Sequence, residues 1–90
     1  MNIRFYGSRN CEDSERSGAF LDKLGLPFEF IDVDHDQSAA EYASSLNHGH
    51  LKTPTIVFGD HVVVEPSDEE LGKELRHAGI YPPSPELKIV

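Results

Sequence analysis

The run Thr53-Pro54-Thr55-Ile56-Val57-Phe58-Gly59-Asp60-His61-Val62-Val63-Val64 constrains this chain more than any other stretch. Thr55 to Phe58 and His61 to Val64 are dominated by β-branched and aromatic residues, which suit a pleated, half-buried surface. The two residues between them, Gly59-Asp60, have the length of a tight hairpin turn. Two antiparallel strands are therefore expected here. Pro54 stands at the entrance of the first, where a missing N–H is tolerated. The Thr53-Pro54 bond is also the type at which a cis peptide costs least.

The rest of the chain reads around this hairpin. Asn2 to Tyr6 alternates, with Ile3 and Phe5 on one side and Arg4 and Tyr6 on the other, as a short strand does. Gly7-Ser8-Arg9-Asn10 is a turn-rich loop. A helix is predicted from about Glu12, with Phe20 and Leu24 four apart and Ala19 and Leu21 beside them. Glu12, Asp13 and Glu15 suit its N-terminus, and Gly25 and Pro27 end it. Phe28 to Val33 is a second strand, so the first third is a βαβ unit with parallel strands and a right-handed crossover. A second helix is predicted over about 37–46, with Ser38 and Glu41 as a capping box and Ala39, Tyr42, Ala43 and Leu46 on one face. A third follows Glu65-Pro66, capped by Ser67 and Glu70, burying Leu71, Leu75 and Ala78 and ending at Gly79. Residues 80–90, with Pro82, Pro83 and Pro85, read as an extended or loosely packed tail beyond a domain of residues 1–79. The order β-α-β-α-β-β-α gives an α/β fold of the thioredoxin-like kind: a four-stranded mixed sheet with helices on both faces.

Charge and cysteine content exclude whole classes of function. With 90 residues, the chain fits one domain. Sixteen acidic residues against 8 Lys and Arg give a net charge of −8. That balance argues against nucleic acid, which needs clustered cations, and against anionic membrane surfaces. One cysteine excludes an internal disulfide and a disulfide-stapled scaffold. No stretch reads as a signal peptide or a membrane span, so a reducing cytoplasm is the expected location. His48 and His50 flank Gly49, with His35 and His61 elsewhere, but no Cys/His spacing matches a structural zinc site, and no metal is expected.

Cys11 stands where strand passes into helix. The first turn of a helix presents unpaired N–H groups, and these together with the macrodipole favour a thiolate over a thiol. Arg9 and Arg16 add positive charge nearby, while Glu12 and Asp13 oppose it. A lone cysteine is often just a small buried hydrophobe, but polar Asn10 and Glu12 flank this one. Ser14 occupies the place of the second cysteine in a Cys-x-x-Cys motif. Serine can donate a hydrogen bond to a thiolate and cannot resolve a mixed disulfide. The chemistry open to Cys11 is attack on a disulfide, a mixed disulfide, and release by an external thiol.

These residues together resemble a glutaredoxin. Phe5-Tyr6-Gly7, Cys11-x-x-Ser14, Asp32-Val33-Asp34 and Thr53-Pro54-Thr55-Ile56-Val57-Phe58 carry the likeness over about residues 2–78. Asn47-x-Gly49 and Glu65-Pro66-Ser67 look closest to the actinobacterial mycoredoxin subgroup. The resemblance implies that Cys11 attacks a disulfide between a protein and a low-molecular-weight thiol. It implies that Thr53, before a cis Pro54, pairs through its backbone with the cysteinyl part of that thiol. Ser67 and Asp68 would bind its far end, Tyr6 and the Arg9 loop would line the groove, and Arg9 or Lys52 would hold a carboxylate. The co-substrate would be glutathione or mycothiol, with no tightly bound cofactor. The partners would be that thiol and thiolated or disulfide-bearing proteins, met by a monomer. Cys11-Glu12-Asp13-Ser14 replaces the usual Cys-Pro-x-Cys, and Glu65-Pro66 replaces the usual glycine pair. Three readings follow: a monothiol oxidoreductase, a module bridging a [2Fe–2S] cluster through Cys11, and a non-catalytic redox sensor or adaptor.

Overall fold

The computed structural model describes residues 2–81. Its elements are β1(Ile3–Gly7), α1(Glu12–Lys23), β2(Glu29–Asp32), α2(Gln37–Ser45), β3(Thr55–Phe58), β4(His61–Val64) and α3(Asp68–His77). The four strands form one sheet in the order β2-β1-β3-β4. β1 and β2 are parallel, as a strand–helix–strand crossover demands. β3 runs antiparallel to both β1 and β4, so the sheet is mixed. Phe58 pairs with His61 across the two-residue turn, and Gly59 supplies the positive φ (59°) that this turn needs. This is the thioredoxin-like arrangement.

Alternation along β1 and β3 assigns the helices to faces. Ile3, Phe5, Ile56 and Phe58 point to one side, where Leu21 of α1, Leu26, and Leu71 and Leu75 of α3 complete a core. Tyr6 and Val57 point to the other, where Val33 and Ala43 of α2 join them. Ile80 and Tyr81, assigned by sequence to the tail, pack against the first core; the rest of the tail lies outside the described residues.

Several local expectations shift. β1 includes Gly7 and starts at Ile3, and β2 is shorter at both ends than 28–33. On α1 the fully buried line is Ser14, Ser17 and Leu21; Phe20 and Leu24 pack against the core from a half-buried position, and Ala19 is exposed. The small serines let α1 lie close to the sheet. Tyr42 is largely exposed, its ring tilted against Tyr6 at 5.5 Å between centroids. The capping box expected of Ser38 and Glu41 does not form. Asp36 is the N-cap of α2 and accepts the Ala39 N–H at 3.0 Å, because the helix begins at Gln37 and Ser38 already lies inside it. The Ser67–Glu70 box of α3 is present in both directions, at 2.8 and 3.0 Å.

The register also decides which chain segments meet. Tyr6 pairs with Thr55 and Thr55 with Val64, at the edge where β1 ends and β3 begins. Beyond this pairing, Glu65 N–H donates to Pro54 O at 2.8 Å. The loop after β1, the Thr53-Pro54 segment and the turn into α3 therefore converge at one end of the sheet.

The position of the α2 cap is testable by urea denaturation. Asp36→Ala should cost about 1 kcal/mol, the usual worth of an N-cap side chain, whereas Ser38→Ala should be nearly neutral. Equal losses would place the cap elsewhere.

Candidate active site

Cys11 is the N-cap of α1, with extended backbone (φ −111°, ψ 119°). Its carbonyl accepts the Glu15 N–H at 3.0 Å and its own N–H donates to Ser8 O at 3.2 Å. The side chain makes no capping bond, so it is free to face outward, and the residue is partly exposed. Its Sγ lies 3.5 Å from the carbonyl oxygen of Thr53. The Thr53-Pro54 bond is cis.

Two opposed influences set the protonation of this thiol. Burial pushes its pKa up. Hydrogen bonds from the Thr53 and Ser14 hydroxyls, and from the backbone N–H groups of Ser14 and Asp13, pull it down and prevail, leaving it below the ordinary thiol value. Thr53 thus acts on the sulfur in two senses. Its carbonyl receives the S–H of the thiol, while its hydroxyl favours the thiolate. The thiolate is favoured by hydrogen-bond donors and not by a neighbouring cation.

The cations expected to help are engaged elsewhere. Arg9 is exposed, lies over the Phe30 ring at 4.8 Å and reaches Asp32 through Nε at 3.8 Å. Arg16 donates to Asp13 Oδ1 and to the Pro66 carbonyl, both at 2.9 Å, and its Nε lies 3.6 Å from Asp68 Oδ1. This side chain joins the first turns of α1 to the entry of α3. Lys52 Nζ lies 3.7 Å from Glu65. Glu65 itself has a left-handed backbone (φ 47°), a conformation that costs a non-glycine residue of order 1–3 kcal/mol.

The remaining expected residues divide. Ser14 is buried next to Cys11, and its Oγ accepts the Ser8 N–H at 3.2 Å. Thr53 and Pro54 abut the thiol from the sheet edge. Ser67 and Asp68 begin α3, but the Ser67 hydroxyl and N–H are both taken up by the capping box. With Asp13, Arg16, Glu65 and Glu70 they line a predominantly acidic groove. Tyr6 belongs to the other face. It is buried in the α2-side core, its hydroxyl accepts from Arg4 at 3.2 Å, and burial raises its pKa. Among the described residues no three His, Cys, Asp or Glu side chains are placed to hold a metal ion. No helix among them is long and apolar enough to cross a membrane.

Ser8 and Asp34 were not legible as site residues. Ser8 bonds to Ser14 and Cys11 through its backbone, and its hydroxyl donates to Asp34 while accepting from Asn10 N–H at 3.2 Å. Asp32 in turn accepts from Asp34 N–H and from His35 Nδ1, each at 2.9 Å. His35 lowers the Asp32 pKa and has its own raised by it. A serine in a turn and acids after a strand are common, so only the pairing of the two loops exposes this network.

Comparison with known proteins agrees with the geometry. The Glutaredoxin family model matches residues 3–63. A Mycobacterium tuberculosis protein that carries the glutaredoxin name is 31% identical over 74 residues, covering 81% of this chain and 88% of the relative. The crystal structure of a glutaredoxin from Archaeoglobus fulgidus superposes with a TM-score of 0.73 at 28% identity, over 83% of this chain and 86% of that one. A buckwheat glutaredoxin crystallised with glutathione shares the fold, with a TM-score of 0.62 at 18% identity over 90% of this chain and 73% of that one. A partly exposed cysteine capping the first helix, the Thr53 carbonyl 3.5 Å from its sulfur and a matching family model over two thirds of the chain lead to one conclusion: this protein belongs to the glutaredoxin family of thiol-disulfide oxidoreductases.

Proposed function

We propose that this chain is a monothiol glutaredoxin that reduces mixed disulfides between proteins and a low-molecular-weight thiol. The observation that carries this reading is the Cys11 sulfur at the start of α1, 3.5 Å from the Thr53 carbonyl and flanked by the Ser14 hydroxyl. The Cys11 thiolate attacks the sulfur of the low-molecular-weight thiol. The S–S bond breaks, and its electron pair leaves on the protein's sulfur, which takes a proton. Cys11 is then joined to the small thiol. A second molecule of that thiol, as thiolate, attacks the small-thiol sulfur of this bond, freeing Cys11 and forming a symmetric disulfide. The net reaction consumes one free small thiol per mixed disulfide: the protein sulfur is reduced to a thiol, and the incoming thiol is oxidised into the symmetric disulfide.

With Ser14 in place of a second cysteine, no internal disulfide competes with this cycle. The backbone of Thr53 offers the docking edge for the cysteinyl part of the thiol. Glutathione is one candidate co-substrate, supported by the buckwheat relative's complex. Mycothiol is the other, resting on the resemblance of Asn47-x-Gly49 and Glu65-Pro66-Ser67 to the mycoredoxin subgroup. The acidic groove of Asp13, Glu65, Asp68 and Glu70 makes a thiol with few carboxylates the better electrostatic match. A monomer in a reducing compartment suffices for these steps.

Cys11→Ser should abolish uptake of the small thiol from a glutathionylated peptide, read by intact mass, with the fold retained by circular dichroism. Uptake that persists would remove Cys11 from the chemistry. Wild-type uptake should rise with pH and level off below the ordinary thiol value of about 8.5. In Ser14→Ala the midpoint should move up and the rate at pH 7 fall about fivefold, the worth of one hydrogen bond near 1 kcal/mol. Ser14→Cys should form an internal disulfide under mild oxidant; its absence would contradict the helix-start placement of both side chains. Wild-type protein that resists exchange at every pH would favour a redox sensor or adaptor, and a brown colour after anaerobic purification a cluster-bridging module.

A further inference from the structure

We propose that Asp34 is a positioning residue for Cys11, acting through Ser8, whose backbone binds both the Cys11 N–H and the Ser14 hydroxyl at the helix start. The inference rests on the reading of Cys11 as nucleophile given above. Asp34 lies in the loop after β2, in a different part of the sequence from the thiol. Its carboxylate accepts the Ser8 hydroxyl proton. A hydroxyl has one proton to give, so the Ser8 oxygen is left as an acceptor, and Asn10 N–H fills it at 3.2 Å. The rest of Ser8 is bound to the thiol's own helix start. Its N–H donates to Ser14 Oγ and its carbonyl accepts Cys11 N–H, both at 3.2 Å. Ser14 is 3% exposed and likewise has one proton. With its N–H on the Ser14 oxygen and its carbonyl on the Cys11 N–H, Ser8 fixes the donors of the helix start that lower the thiol's pKa.

Asp34 is itself held. Its N–H donates to Asp32 Oδ1, and the other Asp32 oxygen accepts from His35 Nδ1, both at 2.9 Å, and lies 3.8 Å from Arg9 Nε. Just before it, Val33 N–H donates to Gly7 O at 3.0 Å, tying the loop to the end of β1. A Cβ at Gly7 would lie 2.7 Å from the Phe5 ring and 3.0 Å from the Phe30 ring, so the approach of these segments depends on glycine. Asp34 thus transmits the placement of the β2–α2 loop to the β1–α1 loop through one side-chain hydrogen bond.

The direct field of a carboxylate has the opposite effect: a nearby negative charge disfavours a thiolate. The two roles therefore differ in sign and separate in one experiment, iodoacetamide alkylation of the full chain across pH 5 to 9. In Asp34→Ala the alkylation midpoint should rise, and the rate at pH 6.5 should fall about threefold. Asp34→Asn keeps an acceptor oxygen for Ser8 and removes the charge, so its midpoint should stay at or below that of the wild type. Adding Ser8→Ala to Asp34→Ala should slow the reaction no further, because both remove the same bond. A midpoint in Asp34→Ala at or below the wild-type value overturns the proposal and leaves only the field. An equal rise in both Asp34 variants overturns it too, since the acceptor would then not matter. Wild-type Cys11 that alkylates as an ordinary free thiol overturns the nucleophile reading itself, and the positioning role with it.

Discussion

The pairing of β1 with β3 is the constraint on which the rest of the molecule depends. Antiparallel register at Tyr6 and Thr55 brings the end of one strand beside the beginning of another. The chain separates Cys11 from Thr53 by a helix, a strand and a second helix. Only this pairing puts the sulfur 3.5 Å from the Thr53 carbonyl. The same register, continued into β4, places Glu65 N–H on Pro54 O and so brings the start of α3 to the same edge. Both cores serve this arrangement. Ile3, Phe5, Ile56 and Phe58 close one face and Tyr6 and Val57 the other, so a slip by one residue would exchange the faces and dissolve the site.

Electrostatics at the thiol works by a different route from the one that composition invites. A chain of net charge −8 has few cations to spare, and those near Cys11 are matched to carboxylates. Arg16 answers Asp13 and Asp68, Lys52 answers Glu65, and Arg9 answers Asp32. The thiolate is instead favoured by short-range donors: two hydroxyls and the amides of the helix start. Such donors act over a few ångströms and are little screened by salt, whereas an exposed cation is weakened by it. The paired arginine also does structural service. It fastens the first turns of α1 to the Pro66 carbonyl, holding the two helix starts on either side of the groove.

The departures from the family pattern fit together. Ser14 removes the resolving sulfur but retains a proton donor beside Cys11. Glu65 takes a left-handed backbone that favours glycine, held by its N–H to Pro54 and by Lys52. The capping box at Ser67 and Glu70 closes part of the α3 N-terminus that would otherwise receive an anion. Together these features leave the Cys11 sulfur partly exposed at the helix start and shape the groove beside α3.

The sequence by itself determined the order of elements, the hairpin at Gly59-Asp60, the α3 cap and the place of Cys11 at the start of α1. These depend on neighbours in the chain: β-branched runs, a two-residue turn, Ser67 three before Glu70, and a cysteine before a helical pattern. It placed the α2 cap at Ser38 instead of Asp36, because two candidates two residues apart differ only in where the first turn begins. It did not separate Tyr6 from the Cys11 side of the sheet, nor did it reveal Ser8 and Asp34. Which face a side chain takes, and which loops touch, are matters of strand register and crossover. Those follow from the packing of the whole sheet, because hydrogen bonds such as Ser8 to Asp34 join residues that no local pattern relates.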